Sequence, residues 1–195
     1  KIKFLVSQVD LDDPADIWTI DGSLNTLSDR PGMDSQKTNS YGIKVFHSFD
    51  GFELQSFTSS TDTDVVFSYD ADWGNTDSHF PYVYDYFSET LRDRRSFNQE
   101  FRIVSDSADF LQDSFIEWVV GANYLELQES NFKKDDGLYG DPTDPYGPYA
   151  SASSSSSRYK SSNISVFGNL DYLLSTSLKF SIGLRVEDWE ANYSD

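Results

Sequence analysis

The chain has 195 residues, 33 acidic against 15 basic, for a net charge of −18 at neutral pH. An acidic excess of this size repels phosphates and excludes non-specific nucleic-acid binding. There is no cysteine, which excludes a disulfide frame and cysteine metal sites, and no run of about eighteen apolar residues that would form a transmembrane helix.

In chain order, Lys1 to Val9 reads as a strand. Asp10 to Lys37 is a long polar connection broken by Pro14, Gly22, Pro31 and Gly32. From Thr38 to Phe49 the sequence alternates, with Tyr41, Ile43, Val45, His47 and Phe49 against Gly42, Lys44, Phe46 and Ser48. Asp50-Gly51 then predicts a two-residue hairpin of type I′, in which both positions have positive φ. Phe52 to Tyr69 is the return strand, with uneven alternation. Asp70 to Arg94 is a second long connection, and Arg95 to Ser105 is a strand with Phe97, Gln99, Phe101 and Ile103 on one face and Asn98, Glu100 and Arg102 on the other.

A turn at Asp106 to Asp113 leads to a strand from Phe115 to Glu129, with Ile116, Trp118, Val120, Ala122 and Tyr124 on one side. Ser130 to Ser162 is the third long connection. Its serine run, Ser151 to Ser157, is predicted to be mobile because it buries too little surface to offset its ordering entropy. The chain ends in a hairpin, Asn163 to Asp195, turning at Ser175 to Ser177. Ile164, Val166, Leu170 and Tyr172 share one side of the first arm; Phe180, Ile182, Leu184 and Val186 share one side of the second, opposite Lys179, Ser181, Arg185 and Glu187.

Two stretches carry a family resemblance. "VFGNLDYLLSTSLKFSIGLRVEDWEANYSD" resembles the barrel hairpin of TonB-dependent outer-membrane receptors, in which a strand of the kind "vFGqldy" precedes a turn and a strand of the kind "ltaGlRyE.d". Upstream, "RRSFNQEFRIVSDS" and "FIEWVVGANYLELQES" are similar to the preceding hairpin of that family. The long-short alternation of connections agrees with the outer loops and periplasmic turns of such barrels. The expected fold is all-β: part of an antiparallel transmembrane β-barrel, about seven long strands with short periplasmic turns and long extracellular loops.

Seven strands fall short of the even number, at least about eight, that single-chain bacterial barrels use. Both ends of the chain read as cut. Residues 1–195 are therefore expected to be a partial barrel domain of a larger receptor, with the plug domain and remaining strands elsewhere. The resemblance implies energised uptake of an iron-siderophore, cobalamin or glycan across the outer membrane of a Gram-negative bacterium. The partners it implies are outer-membrane lipid, the TonB complex reached through the parent's N-terminal region, and a small-molecule or glycan ligand. The alternatives are a passive porin or channel, and a soluble secreted β-sandwich that binds glycans.

No catalytic or phosphate-binding motif is present, and the protein is expected not to be an enzyme, with no cofactor. His47 and His79 lie in different elements and are read as ordinary polar positions. Asp10, Asp12, Asp13 and Asp16 lack the spacing of a calcium loop and are read as solvated. The sequons at Asn163 and Asn192 are short enough to be accidental. The ligand-binding candidates are the loop aromatics Trp18, Trp73, Tyr82, Tyr84, Tyr86, Tyr146 and Tyr149, whose rings stack on sugars or organic chelates; the bland reading is an interfacial girdle or loop packing. Glu100 and Arg102 are expected on the lumen side, either against a plug, as the resemblance implies, or as an interstrand ion pair.

Overall fold

The structure is a computed structural model that describes residues 1–15, 26–106, 115–175 and 178–195. It contains strands β1 (Ile2–Asp13), β2 (Met33–Ser48), β3 (Phe52–Asp70), β4 (Val83–Ser105), β5 (Phe115–Gly140), β6 (Tyr149–Ser175) and β7 (Leu178–Ser194). They form one antiparallel sheet in the order β1-β2-β3-β4-β5-β6-β7. Each strand pairs with the one before it, so the whole sheet is a meander in which every contact between elements joins chain neighbours.

The all-β class and seven antiparallel strands agree with the sequence reading; the transmembrane barrel does not. β1 and β7 are not paired with each other, and the sheet is open at both edges. A lipid-exposed open edge does not occur in hydrocarbon, because each unpaired N–H and C=O there costs several kcal/mol. With the closed wall go the outer-membrane location, lipid and the TonB complex as partners, and both the receptor and the porin readings. Period-2 alternation reports that a strand has one apolar and one polar face; it does not report what covers the apolar one.

The register shows how far the two faces differ. Cross-strand partners share a face. One face gathers Ile2, Phe4 and Val6 of β1, Ile43 and Val45 of β2, Phe101 and Ile103 of β4, Val120 of β5, Val166 and Leu170 of β6, and Ile182, Leu184 and Val186 of β7. These side chains form an apolar belt across the turn half of the sheet. Among the described residues no hydrophobic side chain is fully buried, and Phe4 and Leu184 are 75% and 73% exposed. The belt ends at a row that crosses all seven strands, Gln8-Asn39-Asp62-Arg95-Gln128-Lys160-Asn192. Beyond that row, toward the long connections, most positions on both faces are polar.

That polar half is strand where the sequence predicted loop. β2 begins at Met33, β4 at Val83 and β6 at Tyr149, while β5 runs on to Gly140. The connections at this end contract to residues 71–82 and 141–148 between β3 and β4 and between β5 and β6. Backbone ladders need no apolar face, and here polar cross-strand pairs line them. Thr38 and Thr63 hydroxyls lie 3.1 Å apart, Ser88 donates to Asp135 at 2.6 Å, and Arg94 reaches Glu129 at 2.7 Å. Alternation of hydrophobicity vanishes when both faces are polar, so the sequence reading stopped the strands too early.

Ser151 to Ser157 is the clearest case. Predicted to be mobile, it lies inside β6 and pairs residue by residue with Gly137 to Asn131 of β5. The ladder supplies the enthalpy that its small side chains lack. In hydrogen exchange by mass spectrometry, peptides spanning this run are expected to be protected to the same degree as those from Ile164 to Leu170; exchange at the rate of an unstructured peptide would contradict the pairing.

Two turn expectations are also revised. At Asp50-Gly51 only Gly51 has positive φ, 84°, which excludes a type I′ turn, where both central residues have positive φ. The hairpin is closed by Phe49 N–H donating to Phe52 C=O at 2.8 Å. The expected turns at Asp106 to Asp113 and Ser175 to Ser177 fall mostly outside the described residues. Both sheet edges carry charge, with Asp10, Asp12 and Asp13 on β1 and Arg185, Glu187, Asp188 and Glu190 on β7, which opposes edge-to-edge pairing with other chains.

Candidate functional site

The sheet register builds a row of tyrosines at the loop end. Tyr84 of β4 is opposite Tyr139 of β5, and Tyr139 is opposite Tyr149 of β6. All three therefore project from the polar face. Tyr86, two residues along β4, joins the same face, and its ring lies over Gly137, where any Cβ would overlap it. Tyr84 is the hub: its centroid is 4.7 Å from Tyr86, 6.4 Å from Tyr139 in an edge-on arrangement, and 5.1 Å from His79. Tyr84, Tyr139 and Tyr149 remain 40–51% exposed. The platform is therefore wet on one side and held by ring contacts and backbone on the other.

The neighbouring connections are stitched by carboxylates. Asp72 accepts N–H bonds from Tyr86 at 2.6 Å and Gly74 at 3.0 Å. Burial pushes the Asp72 carboxyl above its ordinary value despite those two donors, with Asp70 and Asp85 adding to the rise. Asp70, 1% exposed, accepts from the Ser28 hydroxyl at 2.6 Å and from the N–H groups of Asp29 and Asp72, both at 3.3 Å. Arg30 bridges Asp85 and Asp136 at 3.2 and 2.9 Å and stacks over Phe87 at 4.4 Å. These bonds pin residues 26–32 and 71–82 to the ends of β3, β4 and β5.

On the other side, Asp144 accepts from the Tyr149 hydroxyl at 2.8 Å and from Tyr146 N–H at 2.9 Å. The bond to Asp144 raises the Tyr149 phenol above its ordinary value. Asp141 takes both the hydroxyl and the N–H of Thr143, which hold its carboxyl low.

Of the seven aromatic candidates, the structure brings together Tyr84 and Tyr86 on the platform, with Tyr149 at the far end of the same row. Trp73, with a left-handed φ of 56°, and Tyr82 lie on the bordering connection, and Tyr146 projects from residues 141–148 at 84% exposure. Trp18 lies outside the described residues, as does Asp16. Sequence reasoning missed Tyr139 because it assigned that position to loop; the signal that would have found it is the pairing of Tyr84 with the Leu138-Tyr139-Gly140 segment across β4 and β5.

Glu100 and Arg102 share the polar face and pair with each other along one strand, so the ion pair is not interstrand. Arg102 also lies over the Phe57 and Phe167 rings at 5.4 and 5.8 Å. With no closed barrel there is no lumen for them to face and no plug to meet. His47, at the turn end of β2, meets Phe49 edge-on at 4.4 Å, while His79 sits at the opposite end of the sheet against Tyr84. Among the described residues no group of three or more metal-ligating side chains converges. A shallow hollow of about 570 Å³ opens elsewhere, beside Val66, Leu91 and Phe132, and contains none of the tyrosines.

No protein-family model matches the chain, and no curated protein matches it. The local resemblance to TonB-dependent receptors thus has no support at the level of the whole chain, and the open sheet contradicts it.

Proposed function

We propose that this chain is a glycan-binding β-sheet module, one layer of a β-sandwich, that captures sugar at its loop end without catalysis. The observation that carries the reading is the row Tyr84-Tyr139-Tyr149. Three adjacent strands hold three half-exposed rings on one face, with Tyr86 beside Tyr84 and its ring over Gly137. Sugar rings present C–H faces that pack on such aromatic surfaces. The apolar belt on the other face is the surface that a second sheet covers in a sandwich, at about 10 Å spacing.

The test is isothermal titration with a panel of oligosaccharides, comparing wild type with Tyr84→Ala and Tyr139→Ala. Each truncation is expected to weaken binding by roughly three- to tenfold, the equivalent of about 0.5–1.5 kcal/mol for one aromatic contact. A folded Tyr84→Ala, Tyr139→Ala double variant that binds as well as wild type would sink the proposal.

A further inference from the structure

Resting on the glycan reading above, we infer that the preferred sugar carries a protonated amine, as an unacetylated 2-amino-2-deoxy sugar does.

The two connections that border the tyrosine row contain no lysine or arginine. Residues 71–82 carry Asp72 and Asp77, and residues 141–148 carry Asp141 and Asp144. The cations closest in the chain are committed elsewhere. Arg30 is held by Asp85 and Asp136, which project from the opposite face. Lys133 pairs with Asp135 at 3.0 Å, and it stands six residues before Tyr139, about 20 Å down the strand. Lys134 points to the opposite face and approaches Asp136 at 3.9 Å. His79 is the one basic side chain in the two connections; it lies edge-on to Tyr84, and its Nε2 is enclosed without a hydrogen-bond partner.

The rings add to the same field. A tyrosine face is the negative pole of the ring quadrupole and attracts ammonium groups. Here three tyrosine rings project from one sheet face, and Asp144 sits at the end of their row, already tied to Tyr149 and Tyr146 through one bond at each of its two oxygens. Each oxygen retains acceptor capacity for a ligand donor. A uronic acid or sulfated sugar would meet this rim as a like charge. A neutral sugar would stack without using it. An amino sugar uses both the rings and the carboxylate.

The experiment is titration of the full chain with oligomers of equal length: glucosamine, its fully N-acetylated counterpart, a neutral glucan and a polyuronate. One cation–π contact and one exposed ion pair together predict that the free-amine oligomer binds roughly three- to thirtyfold tighter than its acetylated counterpart. The advantage should shrink as salt is raised. Tyr139→Ala must weaken the amine oligomer as well, because non-specific attraction to a chain of net charge −18 would survive that change. Asp144→Asn should remove most of the preference while leaving neutral-glucan binding in place. Equal affinity for the amine and acetylated oligomers, preference for the uronate, or an amine preference unaffected by Tyr139→Ala would overturn this inference and leave the glycan site standing. Binding of none of the four would overturn the glycan reading itself.

Discussion

Gly121→Ala is expected to destabilise the sheet by about 1–3 kcal/mol, the range for overpacking a fitted position. Gly121 stands at the centre of the polar-face row Phe46-Gln55-Arg102-Gly121-Phe167-Arg185. A Cβ added there would sit 2.5 Å from the Phe167 ring and 2.7 Å from the Phe101 carbonyl oxygen. Rotation of Phe167 relieves only the first contact and would remove the ring from beneath Arg102 and Arg185, which lie 5.8 and 5.9 Å from its centroid. The second contact is with backbone and requires the ladder itself to shift. Urea unfolding should show a lower midpoint with an unchanged slope. Sugar affinity per folded molecule should not change, because the tyrosine row lies at the other end of β5. A midpoint equal to wild type would mean that β5 and β6 do not pack as described.

Asp70→Ala should be comparably costly and should also damage the site. The carboxylate is almost wholly buried, and its removal leaves Asp72 N–H without this acceptor, while the Ser28 hydroxyl keeps only the Arg30 carbonyl at 3.4 Å and Asp29 N–H only the Gly74 carbonyl at 3.0 Å. A buried donor left unsatisfied costs about 1–3 kcal/mol. Those donors anchor residues 26–32 and the start of 71–82, so Asp72 loses its fixed position under Tyr86 N–H. Both the unfolding midpoint and oligosaccharide affinity should fall in Asp70→Ala. Asp70→Asn, which keeps one acceptor oxygen, should recover part of each. Loss of stability with wild-type affinity would show that the connection does not support the tyrosine platform.

The contrast between these variants reflects what was legible in the sequence. The turn half of the sheet was readable because its faces differ: Ile182 against Ser181, Ile43 against Lys44 and Phe101 against Arg102 are separated in the structure as alternation requires. The loop half was not readable, because Ser151 to Ser157 and Lys133 to Asp136 are polar on both faces and give no periodicity, although the backbone pairs them fully. Tyr139 was lost for that reason, and Tyr84 and Tyr149 were singled out without the partner that joins them into a row. The barrel was an overreach of a different kind. Strand length, apolar alternation and uneven connections describe one sheet; whether the edges of such a sheet close into a barrel is not encoded in local sequence.

The proposed sugar contact is the tyrosine row. It is tested most directly by chemical-shift mapping of the isotope-labelled chain during titration with a glucosamine oligomer. Saturable shifts are expected, confined to Tyr82 to Tyr86, Gly137 to Gly140 and Asp141 to Tyr149, with residues such as Val166 and Ile182 of the apolar belt unaffected. Shifts centred on the belt, or spread evenly over the acidic surface without saturation, would contradict it.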